Sequence, residues 1–104
     1  MGGPQPQLDI ARNIEALDCL KADLASFQAD LYQALLKGGS EEFLEASAKM
    51  IITCFLLTKR LSLNFGHLEK EVYNNTQLLL DEKNHVEEWY GDISALKNYW
   101  DLKR

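Results

Sequence analysis

Residues 36–40 read LKGGS. A lysine followed by two glycines is a helix-stop signal, because glycine adopts the left-handed backbone that ends many helices. Gly39 or Ser40 can then cap a new helix, and Glu41 and Glu42 place negative charge in its first turn. The stretch therefore predicts a turn at 38–40 between two antiparallel helices.

N-terminal to the turn, apolar residues recur in heptad phase. With Ile10 at position a, the a series is Ile10, Leu17, Leu24 and Leu31, and the d series is Asn13, Leu20, Phe27 and Ala34. One polar residue in eight predicts a helix over 8–37 with a coiled-coil-like stripe, Asp9 near its start as an N-cap type. Residues 1–7 hold Pro4 and Pro6, the chain's only prolines, and read as a flexible lead.

C-terminal to the turn, a second phase begins at Leu44 and continues through Ile51, Thr58, Phe65, Val72, Leu79, Val86 and Ile93 to Trp100. A turn would ordinarily reset such a phase, so one long helix over 41–103 is the simplest expectation. Gly66 and Gly91 fall off its seam. A break near residues 74–84 is the alternative, and it would make a self-contained three-helix bundle. The expected fold is thus all-α: a helical hairpin with one short and one long arm, in a single domain.

Arm lengths carry the functional expectation. At ~1.5 Å per residue, the first helix would cover the second only to about residue 70. Leu17, Leu20, Leu24, Phe27 and Leu31 would then pack against Leu44, Leu61 and Leu68 as the hairpin core. Val72, Leu79, Val86, Trp89, Ile93, Leu96 and Trp100 would lack a partner within the chain. The stretch MIITCFLL, residues 50–57, adds Ile51, Ile52, Phe55 and Leu56. A helix apolar all round is buried on more than one side. These eleven residues form the expected partner interface, with aromatic anchors of the kind interfaces favour. The coiled-coil-like hairpin would be completed by other helical chains, in a homo- or hetero-oligomer.

Composition bounds the remaining classes. A net charge of −5 argues against direct nucleic-acid contact. The apolar runs are too short for a transmembrane segment. The start MGGPQPQ lacks a signal-like apolar run, and two widely spaced cysteines, Cys19 and Cys54, suit a reducing cytoplasm or nucleus. No nucleophilic arrangement or phosphate-binding glycine loop is present, so neither an enzyme nor a small-molecule substrate is expected. Glu82 and His85 form a single Glu-x-x-His, where a di-iron site needs two plus two further glutamates. A small metal-binding helical protein is therefore a distant alternative, and no cofactor is expected. Trp89-Tyr90-Gly91 is similar to the WxG tripeptide of the small secreted WXG100 hairpins. There the tripeptide lies at the hairpin turn, a place LKGGS takes here, so no function follows from it. The reading is a non-enzymatic scaffold or adaptor subunit of a multiprotein complex. A monomeric three-helix protein-binding module is its rival.

Overall fold

A computed structural model describes residues 6–82 and 84–103 and is all-α. Five helices follow one another: α1 (Pro6–Lys37), α2 (Ser40–Arg60), α3 (Phe65–Asp81), α4 (His85–Tyr90) and α5 (Asp92–Lys103). They form two compact units, Met1–Phe65 and Gly66–Arg104.

The first unit is the hairpin. Gly38 carries the left-handed conformation, φ 71°, and the Gly39 N–H donates to the Ala34 carbonyl at 3.0 Å. Gly39 is the N-cap of α2. At the far end, Asn13 Nδ2 donates to the Arg60 carbonyl at 3.2 Å, so α1 and α2 run antiparallel along their lengths. Of the expected 1–7 lead, residues 1–5 lie outside the described residues, and Pro6 and Gln7 already belong to α1. Asp9 accordingly sits in the first turn of α1 rather than at its cap.

The two helices meet through unequal side chains. From α1 come the large, half-buried Leu17, Leu20, Leu24, Phe27 and Leu31, ending at the buried Ala34. From α2 come Ala46, Met50, Thr53 and Leu57, with Ala46 and Thr53 buried. Small residues on one helix leave room for leucine and phenylalanine on the other, which is how a close-packed layer forms. Threonine is tolerated here because its hydroxyl is satisfied within its own helix: Thr53 Oγ1 donates to the Lys49 carbonyl at 2.7 Å. Thr58 does the same to Cys54 at 2.8 Å.

This corrects the expected core. Leu44 is 64% exposed, and Leu61 is also exposed. Leu44 sits in the first turns of α2 with most of its surface open, while Leu61 lies just past the end of α2 as its C-cap. Leu68 is half-buried and belongs to the second unit.

The single long arm over 41–103 is also corrected. Helix α2 stops at Arg60 in a complete C-terminal lock: the Ser62 N–H donates to the Lys59 carbonyl and the Leu63 N–H to the Thr58 carbonyl, each at 3.1 Å. That is a Schellman pattern, with the left-handed position filled by Ser62 at φ 66° instead of glycine. A second break falls at the C-terminal edge of the 74–84 alternative. There Asn84 caps α4, its side chain accepting from the Val86 N–H at 2.8 Å. A third comes at Gly91, which ends α4 at φ 68°.

The second unit is held by polar links as much as by a core. Glu87 accepts hydrogen bonds from the Ser94 N–H (2.9 Å) and from the Ser94 hydroxyl, bracing the α4–α5 corner. Lys97 Nζ donates to Gln77 Oε1 at 2.7 Å and lies 5.7 Å from the Tyr73 ring centroid, tying α5 to α3. Ile93 and Thr76 are buried.

Candidate functional site

Two surfaces of the hairpin merit comparison. One is an open groove of about 490 Å³ between α1 and α2 beside the turn, lined in part by Asp30, Lys37, Glu42, Glu45 and Lys49 with Ala34 and Ala46 at its wall. The antiparallel packing brings Asp30 on α1 alongside the first three turns of α2. Lys49 is the centre of its charge pattern. Its Nζ lies 2.9 Å from Glu45 Oε1 and 5.6 Å from the Phe27 ring centroid. The Glu45 hydrogen bond and charge hold the Lys49 amine above its ordinary pKa, with Asp30 adding to the effect.

The other surface is the outward face of α2. Ile51 and Ile52 are 59% and 57% exposed. Leu44, Ala48 and Leu56 are exposed around them. The opposite face of the same helix is already committed to α1, so this apolar face is the part of MIITCFLL that the hairpin leaves uncovered. Phe55 is the exception within the stretch: it is half-buried, with its ring 6.1 Å from that of Phe65 in an edge-on pair.

The remaining expected interface residues lie in the second unit. Val72, Leu79, Val86 and Leu96 are exposed, Trp100 is half-buried, and Trp89 is 69% exposed. Trp89 stacks on His85, centroids 5.3 Å apart. Ile93 is corrected: it is buried and offers little surface to a partner. They lie on three short helices, and the breaks at 82–84 and at Gly91 divide the continuous seam expected from the heptad phase.

Sequence reasoning missed the groove altogether. Asp30 and Lys37 on α1 and Glu42, Glu45 and Lys49 on α2 are far apart in sequence pattern and meet only when the two helices are laid side by side.

The MazG-like family model matches residues 10–93, most of the chain and both units. The chain belongs to the MazG-like family. No curated protein and no solved structure matched it.

The MazG-like family is related to nucleotide pyrophosphatases. Hydrolysis of a phosphoanhydride commonly uses Mg²⁺ held by carboxylates and by the substrate phosphates. The groove of this MazG-like chain is the place to test that fit. Asp30, Glu42 and Glu45 reach it, but Glu45 is engaged by Lys49, and the wall between them is alanine. Among the described residues no three Asp, Glu, His or Cys side chains converge on a metal-sized point. Glu82 and His85 are both exposed and gather no such group either. Among the described residues, the carboxylates that line the groove are too dispersed to hold a magnesium–phosphate centre by themselves.

Proposed function

We propose that this MazG-like chain is a non-catalytic assembly subunit, which joins other helical chains through the outward face of α2. The observation that carries the reading is the exposure of Ile51 and Ile52 at the middle of a helix whose other face already packs on α1. Fully burying a leucine or isoleucine stabilises by roughly 1.5–3 kcal/mol. Covering Leu44, Ile51, Ile52 and Leu56 from their present exposure would add about 1 kcal/mol or more apiece on that scale. The hairpin alone gains little of this. Its buried apolar residues, among those described, are Ala34 and Ala46, and no side chain there is completely enclosed.

The same reading makes the second unit, with Trp89 and its exposed neighbours, a further contact surface in the assembled complex. An intracellular setting suits it, because Cys19 and Cys54 are exposed free thiols. No described helix is long and apolar enough to cross a membrane.

Membership of a family related to nucleotide pyrophosphatases favours a second reading, in which the α1–α2 groove hydrolyses a nucleotide. One experiment separates them. The purified chain is assayed for pyrophosphate release from nucleoside triphosphates with Mg²⁺, while its mass is followed by light scattering. Association without turnover supports the subunit reading. Turnover that disappears with Asp30→Ala and Glu42→Ala overturns it.

A further inference from the structure

We infer that the Lys49 ammonium is a built-in cation of the α1–α2 groove: it neutralises the carboxylates that a divalent metal would need, so the chain keeps the groove without holding a metal in it. The inference rests on the non-catalytic reading above and adds to it what the groove residues do instead.

Lys49 reaches both helices. On α2 its Nζ lies 2.9 Å from Glu45 Oε1, one turn back. On α1 it lies 5.6 Å from the centroid of the Phe27 ring. Asp30 follows Phe27 by three residues and therefore shares its side of α1. It lines the same groove. Its charge acts on the ammonium from across the groove, after the hydrogen bond and charge of Glu45. One ammonium thus answers a carboxylate from each helix.

The third carboxylate of the groove is turned elsewhere. Glu42 is the third residue after Gly39, the N-cap of α2. From that position a glutamate bends back toward the cap backbone, where the positive end of the helix dipole favours it. The Glu42 carboxylate lies over Gly39, where an added Cβ would strike it. Lys37 sits in the last turn of α1, where a cation suits the closing carbonyls.

Charge decides what this arrangement admits. Magnesium keeps several of its waters and is held by one or two carboxylates. An ion at Glu45 would face the Lys49 ammonium at hydrogen-bond range. At ~4 Å, a unit positive charge weakens the hold on a divalent ion by roughly thirtyfold in water, and salt screening leaves about tenfold. Residues 45 and 49 are one turn apart on the same side of α2, so a carboxylate at position 49 would stand beside Glu45 instead of neutralising it.

Mn²⁺ binding to the full chain tests this, read by the paramagnetic resonance signal of free Mn²⁺ and by the shift in melting temperature. Lys49→Met keeps the length of the side chain and removes its charge, so its Mn²⁺ affinity should rise about tenfold over that of the unaltered chain. Lys49→Glu also adds an oxygen donor. It should bind more tightly than Lys49→Met and melt at a higher temperature with Mn²⁺ present, because the ion binds the folded state. Adding Glu45→Gln to Lys49→Glu should cancel most of that gain. Circular dichroism checks the helicity of each variant, and if Lys49→Glu loses helicity, Lys49→Met decides alone. An unaltered chain that binds Mn²⁺ as tightly as Lys49→Met overturns the inference. Helical variants that gain no affinity overturn it as well. Either result leaves the assembly reading standing, since that reading is decided by association and turnover and not by cation binding.

Discussion

Two substitutions, two residues apart on α2, should differ in cost according to which side of the helix they change. Ala46 is 4% exposed and faces α1, where the buried Ala34 and the large leucines approach. Ala46→Leu inserts three carbons into a closed layer, and such overpacking typically costs about 1–3 kcal/mol. Leu44 is 64% exposed, so only about a third of its side chain contributes to the hairpin. Against roughly 1.5–3 kcal/mol for complete burial, Leu44→Ala should cost the hairpin about 0.5–1 kcal/mol. Urea unfolding followed by circular dichroism resolves the two, carried out at low protein concentration because association stabilises the folded chain by mass action. In thermal melts each ~1 kcal/mol corresponds to roughly 4–8 °C for a domain of this size. A Leu44→Ala loss near 3 kcal/mol beside a harmless Ala46→Leu would put Leu44 back on the α1 seam and turn α2 around.

Further outcomes follow from single residues. Ser62→Gly should stabilise the end of α2 by about 1 kcal/mol, seen as a higher melting temperature, because it relieves a left-handed non-glycine residue. Phe27→Ala should destabilise the hairpin by roughly 2 kcal/mol in denaturant unfolding, less than the ~3–5 kcal/mol of a fully enclosed phenylalanine, since the ring is half-buried. The Ser94 hydrogen bonds hold the Glu87 carboxyl below its ordinary pKa. Its contribution is therefore complete above the usual glutamate pKa of roughly 4.3 and is lost as the pH falls through the lower folded value. Glu87→Gln should flatten the acid limb of the stability profile in that window, and an unchanged limb would remove Glu87 from the α4–α5 corner.

The turn at LKGGS and α1 were legible because glycine and a regular leucine stripe are local signals. The inner face of α2 was not. MIITCFLL is apolar on every side, so hydrophobic content does not say which side meets α1. Size does: Ala46 and Thr53 admit the α1 leucines where Leu44 and Ile51 would not. The stop after Arg60 was hidden because Ser62, not glycine, takes the left-handed position, and its stability comes from two backbone hydrogen bonds that composition does not encode. The break at 82–84 depends on an asparagine cap, a weaker signal than proline. Gly91 was visible, yet an unbroken heptad phase on both sides masked it. The α1–α2 groove requires knowing which turns of two helices face each other, so Asp30 and Lys49 could not be paired from spacing alone.

Whether a partner chain covers the outward face of α2 can be read at the side chains themselves. Hydroxyl-radical footprinting of the full chain across a range of concentrations reports the solvent access of Leu44, Ile51 and Ile52, with the exposed Leu36 at the turn as an internal reference. The expected result is progressive protection of those three as concentration rises, with Leu36 unchanged. Equal reactivity of all four at every concentration would contradict it.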